Sequence, residues 1–157
     1  MFLREMNTNM YQKLLEELGT KYNVPIPSFK ISSELYRKET VLGAYDCYTN
    51  TIIIDEMVFH INIDVEKLIY HEFRHAWQYK YYKNLYKWWL KKENTAIYDK
   101  YYNTLLCSIE EDAREFGKTK GRFSREDLIN LYSPQKLTEM RDTGQLDLAV
   151  SYLEMFY

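Results

Sequence analysis

Apolar residues recur along this chain with two different periods, and the switches between them mark out helices and strands. Residues 9–22, NMYQKLLEELGTKY, place Met10, Leu14, Leu15 and Leu18 at helical spacing ahead of Gly19. That pattern predicts an amphipathic first helix with a glycine stop. In the NVPIPSFKIS that follows, Pro25 and Pro27 hold the backbone extended, and a short strand is expected over residues 29–32. Two β-prone runs come next, at 42–47 and 51–55, with Thr49 and Asn50 at the reversal between them. Asn tolerates left-handed backbone, so the pair reads as a hairpin.

Helical periodicity returns after Asp64, whose short carboxylate suits an N-cap, and carries Val65, Leu68, Ile69 and Ala76 through IYHEFRHAWQ. A further helix is expected from about residue 99 to 118, ending near Gly117 and Gly121. The tail offers more start signals, at Ser124 with Asp127, at Ser133 with Pro134, and after Gly144, which predict a helical C-terminal cover over about 122–157. With no repeat, linker or low-complexity stretch, the 157 residues read as one α+β domain with its core over about 28–118.

Composition excludes several function classes. Lys and Arg total 21 against 23 Asp and Glu, a net charge of -2, so no global basic field draws the protein to nucleic acid or anionic lipid. The aromatic stretch that follows residue 78 interleaves Lys80, Lys83, Lys87 and Lys91 with tyrosines and tryptophans, which reads first as a solvated face opposite a packed one and only second as a strand-binding surface. Cys47 and Cys107 belong to no C-x-x-C pattern, so both are expected reduced and packed. The opening MFLREMNTNMYQ carries Arg4 and Glu5 and no apolar run suited to a signal peptide, and no later window approaches a membrane span. A cytoplasmic protein without membrane contact is the expectation.

Chemistry concentrates at His71-Glu72-Phe73-Arg74-His75, an H-E-x-x-H pattern. Two histidines four apart lie only ~40° apart around a helix, so both rings emerge on one side and can share a zinc ion. With His71 at zero, the helix's apolar residues centre near ~120° and Glu72 falls at ~100°, inside the buried face. A carboxylate there loses hydration worth several kcal/mol unless something compensates it. A metal and its water, whose proton the glutamate would take, supply that compensation. Arg74 falls on the side away from the core, where pairing with an acid is expected.

A hydrolytic zinc site needs a third protein ligand. No histidine follows His75, and His60 lies upstream of the helix, where a satisfied, partly buried role fits better than ligation. A carboxylate is therefore expected, and LLCSIEEDAREFG supplies three in mid-helix. Against the apolar side formed by Leu105, Leu106, Ile109, Ala113 and Phe116, Glu111 and Glu115 point to solvent while Glu110 and Asp112 sit at opposite edges of the buried face. Periodicity leaves both open: Glu110 has the longer reach, and Asp112 could instead orient a ligand histidine.

Together these residues resemble the gluzincin metallopeptidases, whose pattern is H-E-x-x-H on one helix and E-x-x-A, often E-x-[DE]-A, on a later one. Glu110-Glu111-Asp112-Ala113 fits with Glu110 in the ligand place, and the Arg-Glu-Phe-Gly that follows is similar to the ending of small ImmA/IrrE-type and phage-encoded members. The resemblance spans about residues 42–118 and is specific at the two motifs. It implies a minimal zincin: a small antiparallel sheet on the active-site helix, with the hairpin providing an edge along which a peptide substrate is laid. It further implies a zinc metallopeptidase with His71, His75 and Glu110 on the metal and Glu72 activating water. Tyr79 or a tyrosine near 98–102 would be placed to steady the oxyanion. Two alternatives use the same scaffold: a non-catalytic binding or regulatory protein of a phage or mobile element, against which the intact Glu72 speaks, and a SprT-like DNA-associated protease, against which the missing downstream histidine and the acidic balance speak.

Overall fold

The computed structural model describes residues 2–83, 86, 87, 90, 107–122 and 124. Helix α1 runs Phe2–Tyr22, and strand β1, Ser28–Ser32, follows the two prolines. Next come a short helix α2 (Leu35–Glu39), the strands β2 (Gly43–Asp46) and β3 (Thr51–Asp55), and a 3-10 turn over Glu56–Phe59. The long helix α3 spans Val65–Tyr81, and α4 is described over Cys107–Thr119. The helices expected beyond residue 124, and the expected start of α4 at residues 99–106, lie outside the described residues.

α1 does not stop at Gly19 as the glycine suggested. It continues one turn to Tyr22, because the terminating left-handed residue is Asn23, at φ 52°. The Val24 amide then donates to the Gly19 carbonyl at 2.9 Å and the Asn23 amide to that of Thr20 at 3.4 Å, which satisfies the helix's last carbonyls. The predicted hairpin is present: β2 and β3 pair antiparallel, Asp46 opposite Thr51, and Asn50 takes φ 48° in the connecting loop.

The sheet as a whole corrects the expectation of an all-antiparallel one. Its strand order is β1-β3-β2, and β1 runs parallel to β3 with Ser28 opposite Thr51. The chain between those strands passes through α2 and β2, long enough to return β3 in the same direction as β1, which a tight turn could not do. Neither α2 nor the 3-10 turn was foreseen. The buried Asp55 organises both, its two carboxylate oxygens accepting from the Tyr36 and Met57 amides at 2.8 and 2.9 Å.

Alternation places Phe29, Ile31, Ile52 and Ile54 on one sheet face, with Tyr45 and Gly43 paired beside them. The four apolar residues are buried and join Leu15 and Leu18 of α1 and Ile69 and Phe73 of α3 in a continuous core. Burial at ~25 cal/mol per Å² of apolar surface makes this face the main tie between sheet and helices.

α3 begins where the sequence indicated, with an Asp64 carboxylate oxygen accepting from the Lys67 amide at 3.2 Å. Its burial is not one-sided, however: every residue from Glu72 to Gln78 is buried. The cause is α4, which packs closely along it. Gly117 permits that approach, since a Cβ there would lie 2.8 Å from the Lys67 carbonyl oxygen and 3.1 Å from His71 Cβ. Any side chain would push the helices apart. Phe116, from the same turn, packs against Phe73, Tyr70 and Tyr22.

Candidate metal centre

The two histidine rings on α3 emerge one turn apart with their centroids separated by 5.1 Å. α4 brings Glu110 across them. One of its oxygens lies 3.3 Å from His71 Nε2 and the other 3.1 Å from His75 Nε2. One ligand atom from each of the three residues falls within 4.8 Å of the others, so the group can hold a metal ion. Among the described residues it is the one such group of His, Cys, Asp or Glu. Of the two carboxylates left open by periodicity, Glu110 is the one that meets the histidines.

Electrostatics bind these residues into one unit. Burial alone would lower the His75 pKa, but the Glu110 hydrogen bond, the Glu72 charge and Gln78 outweigh it and raise it to about 9. Glu110 goes the other way: burial opposes its ionisation, yet the hydrogen bonds and charges of His71 and His75 hold its carboxyl well below the usual range. The Glu110 carboxylate thus lies between two imidazole nitrogens, oxygen and nitrogen donors that could together hold a cation. Side-chain exposures of 19% for His71 and 30% for Glu110, against 5% for His75, leave one side open to a ligand.

Glu72 lies beside this group, buried as its place on the helix predicted, with Oε1 4.0 Å from His71 Nε2. Burial pushes its carboxyl pKa up; the two histidines pull it back and Glu110 adds to the rise. The neighbour on its other side is β2. A Cβ built on Gly43 would come within 3.4 Å of Glu72 Oε1, so the backbone of this edge strand runs directly past the carboxylate.

Asp112 does not reach the histidines. It is buried, and its oxygens accept from Arg74 Nε at 2.7 Å, Arg74 Nη2 at 3.2 Å and Gln78 Nε2 at 2.9 Å. Arg74 therefore has the acid partner expected of it, on a side of α3 that is buried as well. It is fully buried because α4 covers that side of α3, with its guanidinium 3.6 Å from the centre of the Trp77 ring and Nη1 donating to Ser124 Oγ at 2.9 Å. A planar guanidinium that forks onto a carboxylate and stacks on an indole is well suited to such burial.

Gln78 was missed by sequence reasoning. Its Oε1 lies 2.7 Å from His75 Nδ1, and its Nε2 donates to the Ile109 carbonyl at 3.0 Å as well as to Asp112. The available signal was its position seven residues after His71, ~20° away on the same helix face, where an amide amid buried residues needs a reason.

Other residues fall elsewhere. His60 is exposed rather than partly buried and lines an open cavity of about 300 Å³ with Tyr36, Arg37 and Asp55, apart from the metal group. Tyr79 packs edge-on against Tyr86, whose ring centroid lies 5.9 Å from that of His75. Tyrosines 98–102 and most of the lysine-rich stretch after Lys83 lie outside the described residues. Cys47 is buried, as expected. Among the described residues no helix is long and apolar enough to cross a membrane. No family model, curated protein or solved structure matches the chain.

Proposed function

We propose that the chain is a zinc-dependent metallopeptidase of gluzincin type, cleaving protein or peptide substrates. The observation that supports it most is the meeting of Glu110, from a separate helix, with both histidine Nε2 atoms beside a buried glutamate outside that group. The donor set fits zinc: two imidazoles and one carboxylate match a three-ligand hydrolytic site with a position left for water. When bound, zinc supplies Lewis-acid chemistry, lowering the pKa of a water toward about 7 and polarising a substrate carbonyl.

The chain's own residues perform the rest. Glu72 takes a proton from the attacking water and returns it to the leaving amine. Its raised pKa suits both directions, because a general base and acid works best near the operating pH. His71, His75 and Glu110 hold the metal. Among the described residues β2 pairs with β3 on one side only, and its other edge would offer backbone hydrogen bonds to an extended peptide passing Glu72.

Glu72→Gln keeps shape and loses the base. The variant is expected to bind about one zinc per chain with hydrolysis reduced by at least ~100-fold, the low end for loss of a general base. Unchanged turnover on an unfolded protein substrate would refute the reading, and metal content by elemental analysis separates lost chemistry from lost zinc.

A further inference from the structure

We propose that Gln78 is a positioning residue for the metal centre: it fixes which nitrogen of His75 faces the cation. This rests on the metal reading above and adds to it an outer residue that neither motif contains. An amide has a donor end and an acceptor end, and its neighbours decide which is which. One end of Gln78 faces the Ile109 carbonyl oxygen at 3.0 Å and Asp112 Oδ2 at 2.9 Å. A backbone carbonyl can only accept, so that end is the NH2 group. The end 2.7 Å from His75 Nδ1 is therefore the oxygen, and Nδ1 carries the hydrogen that meets it. His75 is left to present Nε2, the atom 3.1 Å from Glu110.

The orientation is anchored from behind. Arg74 forks onto Asp112 while Asp112 takes the second Gln78 hydrogen, so the amide cannot turn over without facing oxygen to oxygen. Gln78 is itself fully buried and both ends of its amide are engaged, which leaves little freedom to rotate. The run Arg74–Asp112–Gln78–His75 thus transmits an orientation from the α3–α4 interface to the ligand. Fixing the ring before the metal arrives removes an ordering cost from binding, and hydrogen-bonded partners of this kind are worth roughly 10–100-fold in metal affinity.

Gln78→Met keeps length and volume but offers His75 no acceptor of comparable strength. Zinc affinity, measured by competition with a chromophoric chelator at a temperature where both chains are fully folded, is expected to fall ~10–100-fold. In 15N-labelled, zinc-loaded wild type, His75 should bind through Nε2 and show an Nδ1–H resonance protected from solvent exchange. That protection should vanish in the variant. The wild-type spectrum needs no variant, so it decides the question even if Gln78→Met fails to fold: ligation through Nδ1, or an unprotected Nδ1–H, overturns the proposal. Equal zinc affinity of the two chains also overturns it, leaving Gln78 as a packing bridge. A wild-type chain that takes up no zinc at all refutes the metal reading itself, a separate and recognisable outcome.

Discussion

Glu110 and Asp112 are two residues apart on one helix, carry the same charge and have opposite tasks. Glu110 keeps partial exposure and meets the histidines; Asp112 is buried against Arg74. Removing charge should therefore have opposite consequences at the two sites. Glu110→Gln is expected to leave a folded chain that no longer retains zinc through dialysis. Asp112→Ala removes the acid partner of a fully buried guanidinium, and losing one partner of a buried pair costs ~3–5 kcal/mol. Calorimetry of both variants beside their metal content checks this, and an Asp112→Ala protein as stable as wild type, or a Glu110→Gln protein that retains zinc, would reverse the assignment. At this scale the sequence was informative because the H-E-x-x-H spacing is a geometric statement about one helix. The choice between Glu110 and Asp112 was not legible, because both lie at edges of the apolar face and only the packing of α4 on α3 decides which edge meets the rings. Arg74 illustrates the same limit: its place away from the core did not reveal the second helix that covers it.

Elements matter through the packing of α4 on α3, where the candidate metal ligands from two distant stretches are held in register. Gly117 sets that distance, with the Lys67 carbonyl and His71 Cβ against its open side. Gly117→Val should force the helices apart, an overpacking cost of ~1–3 kcal/mol. It should weaken zinc binding as well, because His71 and Glu110 move relative to each other. Chelator competition and thermal melts on the same preparation test the two effects, and a variant with lower Tm and unchanged zinc affinity would show that this packing does not govern the site. Local signals revealed α3, β1 and the hairpin: an Asp64 cap before helical spacing, two prolines before a short strand, and two β-prone runs about Thr49 and Asn50. They concealed the parallel β1–β3 pairing, which depends on long-range contacts that no local pattern reports. They also missed α2, whose five residues are held by the Asp55 carboxylate on β3 rather than by a helical repeat.

For the whole molecule, a metal held by His71, His75 and Glu110 would be linked to folding. Consider first the chain without metal. His75 has its pKa raised from 6.5 to about 9 in the fold, so its partnership stabilises the protein fully below ~6.5 and is lost as pH rises through about 9. A displacement of that size is linked to ~3 kcal/mol. Glu110 is depressed, so its contribution is present above ~4.5 and fades only in stronger acid. Glu72 is raised, so ionising it costs stability as pH climbs. The metal-free protein should consequently lose stability between pH 6.5 and 9. Zinc requires His75 without its second proton, so proton and metal compete for Nε2, and competition eases over that same interval. At free zinc a hundredfold above Kd the bound form gains ~2.7 kcal/mol, and each kcal/mol moves Tm by ~2–4 °C in a chain of this size. The gap in Tm between zinc-loaded and metal-free protein, with free zinc held constant by a metal buffer, is therefore expected to widen as pH is raised from 6.5 to 9. A gap that narrows over this range would mean that His75 does not give up its proton to the metal, and that the cation, if held, is held elsewhere.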